Sequence, residues 1–153
     1  MRSPEFEAAR ETAVAFIGID HAKSTGRVRQ NLMKKGVSRE LADEVIAYLE
    51  AIDYVDDRRA ARRVARRYRG RRLRSRRAMV DVFLRNGIAR DAAWAAAEQL
   101  ASDETTARQL LDATYDVVTE ANRTDALKLL SRRGYALYVA MDAVRDALTT
   151  NDE

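Results

Sequence analysis

Residues 32–49 read LMKKGVSRELADEVIAYL, and the layout returns at 83–100 as FLRNGIARDAAWAAAEQL and at 130–147 as LSRRGYALYVAMDAVRDA. The shared glycines, Gly36, Gly87 and Gly134, stand 51 and 47 residues apart. A large apolar residue precedes each by four positions (Leu32, Phe83, Leu130), and another follows directly (Val37, Ile88, Tyr135). Lys35, Asn86 and Arg133 stand immediately before the glycines. Downstream, Val45 and Ile46 align with Ala96 and Ala97 and with Ala143 and Val144. A period of this length is the mark of a tandem-repeat architecture.

Each segment predicts a helix, a glycine stop and a second helix. Val28, Leu32 and Met33 fall on one helical face, as do Met79, Val80, Phe83 and Leu84, and Ala126, Leu127 and Leu130. Glycine at the C′ position takes the left-handed conformation that closes a helix without a Cβ penalty. Ser38 is placed to cap the next helix, which runs to Ala51 with Leu41, Val45, Ile46 and Leu49 inward. The corresponding later helices carry Ala92, Ala93, Ala96, Ala97 and Leu100, then Val139, Ala143, Val144 and Ala147.

A further helical pattern leads each pair: Phe6–Ile17, Asp57–Tyr68 and Thr105–Ala121. In the middle one Asp56 or Asp57 caps the start, Ala60, Ala61, Val64, Ala65 and Tyr68 form the apolar stripe, and Gly70 ends it. The expectation is an all-α fold of three tandem three-helix repeats, residues 1–52, 53–102 and 103–153. Units of about 50 residues have small cores, so neighbours should share buried surface in an elongated, curved array.

Composition agrees. The 153 residues include one proline, six glycines and no cysteine, which leaves little punctuation for an all-β domain and excludes disulfides, thiol catalysis and thiolate metal sites. The start of the chain is charged, and the apolar runs are far shorter than the roughly 20 residues a membrane span needs, so a cytoplasmic protein without a membrane partner is expected.

The formal net charge of +4 hides an asymmetry. Residues 58–77 hold twelve arginines and no acidic residue, so this stretch carries +12 and the remainder −8. Arg58/Arg59, Arg62/Arg63 and Arg66/Arg67 recur every four residues and would wind slowly about a helix. Arg69, Arg71, Arg72 and Arg74 occupy the connection, and Arg76 and Arg77 open the next helix. Like charges at this spacing repel by about 0.2–0.5 kcal/mol per pair, so folding alone does not favour them. Arginine over lysine, 24 against 4, suits bidentate contact with phosphate or carboxylate, although coding bias also explains the residue type. The clustering points to a surface for a polyanion or an acidic protein face. Tyr68 reads first as a buried aromatic and second as a stacking platform for an unpaired base.

Catalytic constellations are missing. His21 is the only histidine and lies beside Asp20, just before the expected cap Ser24. One histidine with one carboxylate lacks the ligand set of a catalytic zinc site, and no nucleophile elbow or phosphate-cradling glycine loop is present. A non-enzymatic protein without cofactor or metal is expected.

In order and spacing, STGRVRQNLMKKGV (24–37), YVDD (54–57), the basic helix through Arg69, Gly70 and Arg71 into FLRNGI (83–88), and LLSRRGY (129–135) resemble the RecX family, modulators of the bacterial recombinase RecA. The likeness runs from about Ala13 to Leu148, with Asp53 where the family commonly has glycine and Ala60 where it often has phenylalanine. The resemblance implies a cytoplasmic helical-repeat regulator in DNA repair and the SOS response, and a monomer is expected. Such a protein binds the RecA–DNA filament and inhibits its ATPase, strand exchange or growth. The residues expected to face the filament are Arg58, Arg59, Arg62, Arg63, Arg66, Arg67, Arg71, Arg72, Arg76 and Arg77, with recombinase surface, DNA phosphate or both opposite them. The alternative is an autonomous DNA-binding protein that uses the arginine-rich second repeat, with the helix after Ser75 as its reading element.

Overall fold

The computed structural model describes residues 2–152. Among them the chain forms nine α-helices and no strand: α1 (Pro4–Ile17), α2 (Thr25–Lys34), α3 (Arg39–Ala51), α4 (Asp57–Ala65), α5 (Arg76–Arg85), α6 (Arg90–Glu98), α7 (Asp103–Thr114), α8 (Arg123–Arg132) and α9 (Leu137–Asp152). A single 3₁₀ turn, Gly70–Arg72, lies between α4 and α5. The fold is all-α, as expected.

The helix ends follow local chemistry. Ser3, Ser24, Ser38 and Ser102 each accept a hydrogen bond from the amide three residues on, which supplies an acceptor to the exposed first turns of α1, α2, α3 and α7. Three helices close in the same way. The amides of Val37, Ile88 and Tyr135 donate to the carbonyls of Leu32, Phe83 and Leu130 at 3.0–3.1 Å, with Gly36, Gly87 and Gly134 at φ between +83° and +92°. The apolar residues that flank each glycine are thus the two ends of one hydrogen bond and the two halves of one apolar contact. A fourth closure of this kind has no glycine. Asp53 takes φ +63° at the end of α3, where the Tyr54 amide donates to the Leu49 carbonyl at 2.8 Å.

The chain divides into two compact units, one of Met1–Val64 with Phe83–Ala96, the other of Ala65–Val82 with Ala97–Glu153. Residues 53–102, expected as the middle repeat, contribute to both. In the first unit α1, α2 and α3 enclose Phe6, Ala13, Ile17, Val28, Leu32, Val45, Ile46 and Leu49. In the second, α7, α8 and α9 enclose Leu110, Leu111, Leu129, Leu130, Val139 and Val144, with Leu73 packed against them. Full burial of each valine, leucine, isoleucine or phenylalanine among them contributes about 1.5–3 kcal/mol of transfer free energy.

Each unit contains one copy of the same joint. In the first, the Ser24 hydroxyl donates to the Asn86 carbonyl at 2.7 Å and the Gly26 amide to the Gly87 carbonyl at 2.9 Å, so the start of α2 rests on the glycine turn after α5. Asp57 completes it. This buried carboxylate accepts from the Thr25 amide and hydroxyl, both at 2.8 Å, and from the Ala89 amide at 2.9 Å. In the second unit the Ser75 amide donates to the Arg133 carbonyl at 3.0 Å, and the Asp103 carboxylate accepts from the Arg76 amide at 2.8 Å. Ser24 and Ser75, Gly87 and Gly134, and Asp57 and Asp103 occupy matching places, which fits the spacing of the glycine segments.

Some expectations are corrected. Met33 and Leu84, placed inward by periodicity, are exposed beside buried Leu32 and Phe83. The helix expected to reach Tyr68 ends at Ala65, and Gly70, at φ +60°, opens the 3₁₀ turn rather than stopping α4. The helix expected over Thr105–Ala121 is α7, which starts two residues earlier behind Ser102 and stops at Thr114, where Tyr115 is extended. Pro4 starts α1 two residues before Phe6 because Ser3 caps it.

Candidate polyanion-binding site

In the first unit, Arg58, Arg59, Arg62 and Arg63 lie on two successive turns of α4. Ala60, Ala61 and Val64 are buried, so the arginines take the outer face of the helix. Asp56 stands immediately before the helix. Burial opposes its ionisation, but its bonds to the Arg58 and Arg59 amides and the nearness of both guanidiniums outweigh that, and its carboxyl lies below the ordinary carboxylate range. Burial and then the charges of Asp57 and Asp56 push the neighbouring Glu50 the other way.

The four arginines are not equivalent. Arg59 Nε donates to the His21 carbonyl at 2.7 Å and Nη2 to the Asp53 carbonyl at 3.1 Å, so this half-buried side chain ties α4 to the loop before α2 and to the turn after α3. Arg63 pairs with Asp20. That bond, followed by one from the Ala22 amide, holds the Asp20 carboxyl below its usual value. His21, at φ +52°, lies with its ring 4.1 Å from the Tyr54 ring. Arg58 is 78% exposed, with Nε 3.7 Å from Asp56. Arg62 is exposed and holds no ion pair among the described residues.

The second unit carries the rest. Arg66 and Arg67, expected to extend the helical stripe, follow the end of α4 in a turn; both are exposed and hold no ion pair among the described residues. Their place just past a helix C-terminus favours positive charge. Arg71 Nε donates to the Ala113 carbonyl at 2.9 Å. Arg76 donates through Nε and Nη2 to the Leu100 carbonyl. Asp103 supplies the anion that the first turn of α5, opened by Arg76 and exposed Arg77, otherwise lacks. Tyr68 is half-buried, and the guanidiniums of Arg72 and Arg74 stand 5.0 and 4.9 Å from its ring centroid.

The ten arginines therefore fall into two groups. Arg59, Arg63, Arg71 and Arg76 hold the fold together through carbonyl or carboxylate partners distant in sequence. Arg58, Arg62, Arg66, Arg67, Arg72 and Arg77 are exposed, as are Arg63 and Arg71 despite their partners. Arg74 and Tyr68 were marked in the sequence, one within the basic stretch and one as a second-choice stacking platform, but neither was placed among the expected site residues, and what brings them together is the fold of the 66–75 connection.

Among the described residues no helix is long and apolar enough to cross a membrane, and no group of three histidine, aspartate or glutamate side chains is placed to hold a metal ion. No family model matches the sequence, and no curated protein or solved structure matches it.

Proposed function

We propose that the chain is a non-enzymatic regulator of the RecX kind, which binds a RecA–DNA filament through its arginine-rich segment and inhibits the recombinase. The observation that carries the reading is the segment of +12 at residues 58–77, in which Arg58, Arg62, Arg66 and Arg67 point to solvent without a strong internal partner. Guanidiniums with a weak internal partner or none, clustered along the chain against their own repulsion, suit phosphate or carboxylate from outside. The recombinase as partner, the cytoplasm as compartment and inhibition as the effect rest on the resemblance in residues 24–37, 54–57, 83–88 and 129–135.

The rival reading, an autonomous DNA reader, requires α5 to lie in a groove. That helix buries Met79, Val80, Val82 and Phe83, ties Arg76 to Leu100 and turns Asp81 outward, which favours backbone contact over base readout.

The test is ATP hydrolysis by the recombinase of the same organism on single-stranded DNA, with the wild-type chain and with Arg62, Arg66 and Arg67 changed to glutamate. The wild type should inhibit and the triple variant should not, while far-ultraviolet circular dichroism stays helical. Equal inhibition by both proteins would overturn the role of these arginines. No inhibition by the wild type, with tight sequence-selective binding to duplex DNA at physiological salt, would support the rival.

A further inference from the structure

The second unit contains a cleft of about 200 Å³ whose lining includes Leu73, Met79, Leu100, Arg69 and Arg74. Its floor is apolar, and no acidic side chain lines it. Arg76, also on its wall, is committed to the Leu100 carbonyl. Arg69 is exposed, and the Nε of Arg74 is buried with no hydrogen-bond partner among the described residues. A buried guanidinium donor without an acceptor is costly to leave unmade. The cleft thus offers an apolar seat beside two guanidiniums that hold no ion pair among the described residues.

We propose that this cleft binds an acidic peptide segment of a protein partner, seating one large apolar side chain on Leu73, Met79 and Leu100 while adjacent carboxylates meet Arg69 and Arg74. The volume suits a single side chain rather than a drug-sized ligand. An unstacked nucleobase fits less well, because the aromatic ring at the rim, Tyr68, already has the guanidiniums of Arg72 and Arg74 beside it. An apolar anchor ringed by charge is the arrangement in which one side chain dominates the binding energy and the charges set orientation. The inference deepens the filament reading, on which it rests, by giving the protein component of the partner a contact of its own, separate from the phosphate-facing arginines.

The probe is a fluorescein-labelled hexapeptide, Asp-Asp-Phe-Leu-Asp-Asp, followed by fluorescence polarisation with the full chain. A control peptide has serine in place of both apolar residues. Ala101 lies on the cleft and is exposed, so Ala101→Trp fills the seat without disturbing the core. The wild type should bind the probe at least tenfold more tightly than the control, and Ala101→Trp and Arg69→Glu should each weaken probe binding at least tenfold with circular dichroism unchanged. Equal binding of the two peptides, or probe binding indifferent to Ala101→Trp, would overturn the proposal. So would oligothymidylate binding that Ala101→Trp abolishes, because the occupant would then be a base. Probe binding by a wild-type chain that leaves the recombinase unaffected would mark failure of the filament reading alone, and the glutamate triple variant, whose cleft is intact, should still bind the probe.

Discussion

Gly26 is set directly against Gly87: its amide donates to the Gly87 carbonyl at 2.9 Å, and a Cβ built on Gly26 would stand 2.6 Å from that same oxygen. The Cβ is fixed by the backbone that carries it and the oxygen is backbone, so there is no flexible side chain to yield. Gly26→Ala should therefore destabilise the protein by about 1–3 kcal/mol, the range of an overpacked site. Urea unfolding followed by circular dichroism measures it, and a loss below about 0.5 kcal/mol would show that the joint is loose.

Asp57 is buried and satisfies three donors, two on Thr25 and one on Ala89. Asp57→Ala leaves all three without an acceptor and should cost about 2–4 kcal/mol, since each orphaned buried donor carries a desolvation penalty. Asp57→Asn keeps one acceptor oxygen and should recover part of the loss. Asp103, the matching residue in the second unit, accepts a single bond from the Arg76 amide in a less buried setting, so Asp103→Ala should cost less.

The two groups of arginines should separate in stability measurements. Arg59→Ala removes donors from the His21 and Asp53 carbonyls and should cost about 1–2 kcal/mol, whereas Arg62→Ala should stay within about 0.5 kcal/mol of wild type. In binding to non-specific DNA the order reverses: Arg62→Ala should reduce the salt slope by about one counterion. Equal unfolding midpoints for the two variants would contradict the division.

Tyr135 is buried and its hydroxyl lies 2.8 Å from that of Thr106. Burial pushes its phenol up to about 12, against an ordinary value near 10. The folded-state value is the higher one, so the contribution to stability is complete below pH 10 and is lost as the pH climbs through 12. Unfolding free energy should fall by about 2–3 kcal/mol across that window, because each tenfold difference in proton affinity between the folded and unfolded chains is worth about 1.4 kcal/mol. Tyr135→Phe should flatten this alkaline step and remove the late phenolate absorbance from a spectrophotometric titration.

The glycine turns were legible in the sequence because every element of that closure is local: the residue four before, the glycine and the residue after lie within one hydrogen-bonded turn. The caps at Ser24 and Ser38 were legible for the same reason, whereas those at Ser3 and Ser102, which start α1 and α7 two residues earlier than periodicity indicates, were not. The early ends of α4 and α7 were not, because no proline or glycine marks Ala65 or Thr114. The 66–75 connection is held instead by Arg71 on Ala113 and by Arg133 on the carbonyls of Arg71 and Leu73, contacts about 40 to 60 residues away. The charge of the candidate site could be read directly, but its division could not. His21, Asp20 and Leu100, which immobilise Arg59, Arg63 and Arg76, are 38, 43 and 24 residues distant. Asp53 is the intermediate case. Its left-handed backbone matches a position where the resembled family carries glycine, and aspartate tolerates that conformation better than most residues.

The joint at Ser24 also imposes an order in time. Its partner Asn86 follows 62 residues later, and Asp57, which anchors Thr25, 32 residues later. At a synthesis rate of about 5–20 residues per second, the first three helices leave the ribosome about 2–7 s before the turn that fastens them. A nascent chain that has emerged only as far as residue 52 thus holds three helices whose clasp has yet to be made, and the earliest protease-resistant intermediate should be one that extends past Gly87.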